Sequence, residues 1–184
     1  MIRLIDAATG QYKVLLRLIA FTAIRPCELA GLHVEDINFA RGFARIQRST
    51  TYGIGVPRTK NGKKRTVYMD SMTLAMLKDF IGERTTGRVF QSKHGRWLDM
   101  HEVTRRVVVP LCKRLGIEPG GLYSFRHGRV SLMQAQRLPG DYITKQIGHS
   151  SLKTTSGYTH FSEAQMQQMT EQLWSNAELW SNVN

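Results

Sequence analysis

Apolar and polar positions alternate along this chain in a way that changes period several times. Tyr12, Leu15, Leu16 and Ile19 recur at i, i+3, i+4 and i+7, which predicts a helix over residues 11–24 with one buried stripe. The pattern then breaks at Ile24-Arg25-Pro26. Proline disfavours helix at the residue before it and suits the first position of a new helix, so Arg25 is expected at a stiff corner between two helices. Residues 34–39 and 43–47 alternate as short strands around Ala40-Arg41-Gly42, while the Gly-rich stretch 49–56 carries no clear period. Asn61-Gly62 predicts a tight hairpin turn with residues 66–69 as the return strand.

Leu74, Leu77, Phe80 and Ile81 mark another helix, closed by Gly82. Val103, Val107, Leu111 and Leu115 share a face of a further one, which Pro110 must kink or divide and Gly116 stops. After the turn Pro119-Gly120-Gly121, Ser124 is read as the cap of a helix with Phe125 and Leu132 in the core and Arg126 in its first turns. Tyr123 then stands just ahead of that helix. A short helix over 141–147 leads to Ser150-Ser151, the cap of one that ends near Tyr158. Ser162 and Gln165 form a capping box for a last helix with Met166, Met169 and Leu173 on one stripe. The sum is a mainly α fold with a small antiparallel β-sheet, of the α+β class. Residues 1–161 are read as one domain and 162–184 as a helical tail, with no internal repeats.

Composition narrows the function. In 184 residues 41% are apolar, enough for a globular core, and the net charge of +12 makes an acidic polymer the first partner to suspect. A generically basic protein, such as a ribosome-associated one, is the plainer account of that charge. Cys27 and Cys112 have no ligand-like spacing and read as small core residues in a reducing compartment. The apolar N-terminus is interrupted by Asp6, Lys13 and Arg17, and no run reaches signal or membrane length. A cytoplasmic, DNA-associated protein with no membrane partner is expected.

Five polar residues stand at special backbone positions. Arg25, on its corner, is placed to grip a phosphate, or else to pair with Glu28 one turn on. Lys60 and Lys63 flank the Asn-Gly turn, and with Arg58, Lys64 and Arg65 make a basic finger that reaches into DNA or a merely solvated tip. Arg126 lies in a helix start. His149 faces the helix that carries Tyr158. A tyrosine so offered, with little apolar bulk around it, can attack phosphorus as a nucleophile. The alternative is a half-buried tyrosine whose hydroxyl donates to a carbonyl.

Taken in order, these residues resemble the catalytic domain of the tyrosine recombinases of the phage-integrase type. The matching pieces are Ala23-Ile24-Arg25-Pro26-Cys27-Glu28-Leu29, Thr59-Lys60-Asn61-Gly62-Lys63, Tyr123-Ser124-Phe125-Arg126-His127, Ile147-Gly148-His149-Ser150-Ser151-Leu152 and Tyr158-Thr159-His160. The likeness runs from about residue 10 to about residue 170. Each piece alone is weak; together, in this order, they are specific.

The resemblance implies that Tyr158 attacks a phosphodiester of double-stranded DNA, giving a 3′-phosphotyrosyl bond and a free 5′-hydroxyl. Arg25 and Arg126 would bracket the non-bridging oxygens, and Lys60, with Lys63 in reserve, would protonate the departing oxygen. His149 would donate to the phosphate or steer it, and Glu28 would buttress Arg25. No metal or other cofactor is implied.

Two departures from the family pattern matter. Tyr123 occupies the first position of the His-x-x-Arg box, and a phenol can donate to phosphate but is a poor base near neutral pH. Arg25 also comes too early for an N-terminal DNA-clamp domain, so weak, salt-sensitive DNA binding is expected. Self-assembly as a dimer or tetramer on DNA is implied, with a monomer in solution. The tail, bearing Trp174 and Trp180, docks either on its own domain or on a neighbouring protomer. The rival readings are a catalytically weak or silent DNA-binding accessory protein, a type IB topoisomerase-like nicking-closing enzyme, and a basic RNA-binding domain. The last lacks an aromatic platform for bases.

Overall fold

The stripe read along the first strong helix becomes the middle of the molecule. The structure, a computed structural model, describes residues 1–57, 64–148 and 163–175. After α1 (Ile2–Ala7), helix α2 (Gly10–Thr22) buries Leu15, Leu16, Leu18, Ile19, Ala20 and Phe21 almost completely. It is covered well beyond one stripe, by α4 (Ser71–Ile81) and α7 (Leu122–Ala135) as well as α1. Arg17 is drawn into this interior with α2. Its Nη2 donates to Asp70 Oδ1 at 2.9 Å and its Nε to Thr73 Oγ1 at 3.0 Å, with the guanidinium 4.2 Å above the Phe21 ring. Asp70 also caps α4, accepting from Thr73 N at 2.9 Å.

The chain leaves α2 through Ala23 in a left-handed conformation (φ 55°, ψ 24°), and Arg25 is extended (φ −69°, ψ 142°) ahead of α3 (Pro26–Ala30). This is the predicted corner. Residues 34–39, predicted as a strand, instead form a 3₁₀ turn (Val34–Asp36) and a two-residue strand, β1 (Ile37–Asn38). The Asp36 carboxylate accounts for the difference: it accepts from His33 N at 3.0 Å and from the side chains of Gln47 and Arg48, curling the backbone around itself.

Strand β2 (Phe43–Ile46) lies between β1 and a later strand. The stretch 49–56 proves to be a hairpin, β3 (Ser49–Thr51) and β4 (Ile54–Val56), turning at Tyr52 and Gly53 with φ of 48° and 71°. Strand β5 (Arg65–Tyr68) completes the antiparallel sheet β1-β2-β5, in register from Phe43 opposite Tyr68 to Ile46 opposite Arg65. Arg58, Lys60, the Asn61-Gly62 turn and Lys63 lie outside the described residues.

Pro110 does divide its helix. Between α5 (Met100–Val103) and α6 (Val109–Leu115) residues 104–108 widen into a π turn. Proline has no N–H to give and its ring crowds the carbonyl one turn back, and a wider turn relieves both. Gly116 closes α6 in the left-handed region. Helix α7 starts earlier than predicted, because Gly121 takes the cap position. Ser124 therefore lies inside the first turn, its hydroxyl donating to Gly121 O at 2.6 Å, and Tyr123 is helical as well.

Helix α8 (Gly140–Ile147) matches the expected short helix. Residues 149–162, with His149, Tyr158 and Ser162, lie outside the description. The last helix, α9 (Glu163–Ser175), packs on its own chain. Met166 joins Ala23, Met133, Tyr142, Ile143 and Ile147 in a second apolar cluster with Met169 against it. Glu171 accepts from Ser71, Gln167 donates to Met69 O at 3.0 Å, and Thr170 bonds the Tyr142 hydroxyl at 3.0 Å. The side chains of Leu173 and Trp174, and residues 176–184 including Trp180, are outside the description. Cys112 is buried, Cys27 partly so, and both are free thiols. Among the described residues no helix is long and apolar enough to cross a membrane.

Candidate active site

The site is assembled where α2, α3, β5, α7 and α8 meet. Gln146, on the last turn of α8, is fully buried. Its amide donates to Tyr68 O at 2.8 Å and accepts from Tyr68 N at 3.1 Å, a side chain standing in for a neighbouring strand. This fixes the end of α8, Ile147 and Gly148, beside β5.

Two arginines distant in sequence arrive at that helix end. Arg25 Nη2 donates to Gly148 O at 2.8 Å. Arg126 Nη2 donates to Ile147 O at 2.7 Å, and its Nη1 to Ala23 O. The guanidiniums thus hang from consecutive carbonyls, with His149 next in the chain. Helix carbonyls left without partners at a C-terminus suit cations.

Glu28 stands behind Arg25. Its side chain is fully buried and accepts from Arg25 N at 3.1 Å, from Arg25 Nη1 at 2.9 Å, and from both Arg65 nitrogens at 2.7 Å each. Burial pushes this carboxyl up, but the hydrogen bond and charge of Arg65, with Arg25, outweigh it and hold Glu28 below the usual range. Arg25 and Arg65 pair with this one carboxylate and Arg126 lies within its electrostatic reach, a net of two positive charges in the cluster. Burial, then the charges of Arg25 and Arg65, lowers Arg126 to about 10, still far above neutral pH, so it stays cationic. Such an arrangement, short of negative charge and rich in fixed donors, can hold an oxyanion.

Tyr123, in the first turn of α7, is half exposed and within electrostatic reach of Cys27, Arg25 and Arg126. Burial and then Cys27 raise its pKa, so the phenol is a neutral donor near pH 7. Its ring lies 6.5 Å from that of His127. Of the sequence-predicted set, the structure therefore brings together Arg25, Glu28, Tyr123 and Arg126. Lys60, His149, Tyr158, Arg58 and Lys63 lie outside the described residues, and Lys64 is exposed.

Arg65, grouped in the sequence with the DNA-facing finger, is turned inward onto Glu28. Strand alternation signals this: Arg65, Val67 and Met69 share a face, and Val67 and Met69 are buried. Cys27, read as a core residue, borders the site, and burial followed by Glu28 raises its thiol. Among the described residues no group of three or more His, Cys, Asp or Glu side chains is placed to hold a metal ion.

Comparison with known proteins follows the same lines. The sequence pattern of the phage integrase family matches residues 1–165. The chain is 25% identical over 162 residues to the tyrosine recombinase XerA of Pyrococcus furiosus, covering 86% of this chain and 53% of that one. It is 27% identical over 176 residues to XerD of Shewanella oneidensis, covering 91% and 55%. The chain thus spans about half the length of the curated relatives it matches. Among solved structures, XerA recombinase superposes with a TM-score of 0.67 at 22% identity, over 92% of this chain and 61% of that one. The Tn1549 transposon integrase in complex with circular intermediate DNA gives 0.69 at 15% identity, over 92% and 62%. The fold is that of the tyrosine recombinases and integrases. On the match across residues 1–165, the chain belongs to the phage integrase family.

Proposed function

We propose that this chain is the catalytic domain of a site-specific DNA recombinase that cleaves and rejoins strands through a 3′-phosphotyrosyl intermediate. The observation that carries the reading is the arrival of Arg25 and Arg126 on consecutive carbonyls, Gly148 O and Ile147 O, directly before His149. Two forked donors held in place suit the non-bridging oxygens of one phosphodiester, and need little reorganisation as charge grows there.

In this reading the Tyr158 oxygen forms a bond to phosphorus as the bond to the 5′-oxygen breaks. Lys60 gives that oxygen a proton, with Lys63 in reserve, and His149 donates to the phosphate or steers it. The phosphotyrosyl ester conserves the bond energy until a 5′-hydroxyl of another strand reverses the step, so no cofactor is needed. Tyr123, neutral at pH 7, acts as a hydrogen-bond donor and not as a base. Arg58, Lys63 and Lys64 contact the DNA backbone. Strand exchange requires assembly of protomers on DNA, as a dimer or tetramer, and the chain acts where DNA is, in the cytoplasm. Relatives of this fold, XerH bound to difH substrate and the Tn1549 integrase with circular intermediate DNA, support DNA as the partner.

The test is incubation with nicked duplexes selected for binding from a randomised pool, followed by denaturing electrophoresis. The intact chain is expected to form a covalent protein–DNA adduct, and Tyr158→Phe to form none while binding DNA equally well. A DNA-bound intact chain that never forms the adduct refutes the reading. That outcome favours the accessory protein without chemistry, for which Tyr123 in the box position is the motivating feature. Relaxation of supercoiled DNA without partner exchange favours the nicking-closing enzyme instead.

A further inference from the structure

We infer that Arg65 is a positioning residue of the active site, the support on which both ends of the Arg25 fork rest. This builds on the recombinase reading above. Arg25 has two side-chain anchors, Glu28 Oε1 at 2.9 Å and Gly148 O at 2.8 Å, and Arg65 braces each of them.

On one side, Arg65 closes a two-pronged contact on Glu28, with both distances 2.7 Å. Glu28 is otherwise a carboxylate shut away from water, and burial alone drives it towards the protonated form, which has fewer acceptor sites for Arg25. On the other side, the Arg65 stem fills the space over Gly148. A Cβ built there would lie 2.6 Å from both Cδ and Nε of Arg65. Glycine at that position lets the side chain pass directly against the backbone, and the packing sets where the Gly148 carbonyl points. One residue on β5 thereby fixes an acceptor on each flank of Arg25. Arg65 differs from Arg25 in how its fork is used: both of its Nη atoms are spent on the one carboxylate of Glu28, whereas Arg25 gives Glu28 only Nη1, which assigns Arg65 to support.

The experiment compares Arg65→Lys, which keeps the charge but not the fork, with Arg65→Gln, in the 184-residue chain. Three quantities are read: single-turnover adduct formation on the selected nicked duplexes across a pH series, DNA affinity across a salt series, and titration of the Glu28 carboxyl by carbon NMR. Misplacing one oxyanion donor by an ångström is expected to slow adduct formation about a hundred-fold in both variants. Affinity and its salt dependence should match the intact chain. In Arg65→Gln the Glu28 titration should move to higher pH, since the group that lowers it is gone, and the acid limb of the rate profile should move with it.

A role in folding alone would lower the rate with the folded fraction and leave that limb in place. A wild-type rate in Arg65→Lys overturns the inference. So does a salt slope reduced by about one, which marks a lost phosphate contact. Absence of adduct from the intact chain sinks the recombinase reading by itself. The Glu28 titration then still decides here, and a carboxyl unmoved by Arg65→Gln overturns the positioning role.

Discussion

Replacing Gly148 by alanine tests the packing at the end of α8 with an internal control. Gly148 has φ of +66°, and a left-handed conformation costs a residue with a Cβ about 1–2 kcal/mol. Gly116, at the end of α6, has nearly the same φ of +64° but nothing within 4 Å of a would-be Cβ, so its alanine variant carries the backbone cost alone. At Gly148 the new carbon also falls 2.6 Å from Arg65 Cδ and Nε. That stem is not a loose tip, because its guanidinium is fastened to Glu28, so the overlap should add a typical overpacking cost of about 1–3 kcal/mol. Gly148→Ala is therefore expected to lose about 3 kcal/mol in all, lowering Tm by roughly 6–12 °C for a chain of this size. Urea unfolding of both variants measures the difference. Repeating Gly148→Ala in an Arg65→Ala background should bring its cost back to that of Gly116→Ala. If the two glycine variants differ by less than about 0.5 kcal/mol in the intact background, the close approach of Arg65 to Gly148 is not rigid and the reasoning fails.

Other perturbations probe the interior and the charge cluster. Arg17→Met leaves Asp70 buried without its cation and should cost about 3–5 kcal/mol in denaturant unfolding, with Asp70→Asn in the same chain recovering part of it; a loss below about 1 kcal/mol would show the pair to be solvated. The Glu28 carboxyl titrates below its usual 4.5 when folded, so its contribution is complete above that pH and is lost as pH falls through the folded value. Unfolding measured along an acid series should thus show a steeper decline in the intact chain than in Glu28→Gln, and identical declines in both would refute the assignment.

What could be read from the chain, and what could not, divides by distance along it. The corner at Arg25 was legible because Pro26 alone imposes it on its neighbour. The helix ending at Gly82 and the broken one around Pro110 were legible for the same local reason. Side-chain competition defeated the strand predicted over residues 34–39: the apolar alternation is present, but Asp36 captures the backbone first. Ser124 looked like a cap, yet the extended Gly121 ahead of it took that place and moved Tyr123 into the helix. The Arg65 partner of Glu28, the Tyr68 partner of Gln146 and the Asp70 partner of Arg17 lie 37, 78 and 53 positions away, and no local pattern announces them. Within the site, residue types and order marked Arg25, Glu28, Tyr123 and Arg126. The inward turn of Arg65 was encoded in the alternation of β5, but its place in a run of surface cations pointed the other way.

The amide of Gln146 has an effect beyond holding α8. Strand β5 is the outer member of its sheet, and an open outer strand is a template on which a foreign extended segment can build. At Tyr68 both main-chain groups on that open side are already taken, by a side chain that cannot propagate a ladder. A foreign strand is thereby denied both main-chain hydrogen bonds at Tyr68, on the flank where α8 is fastened.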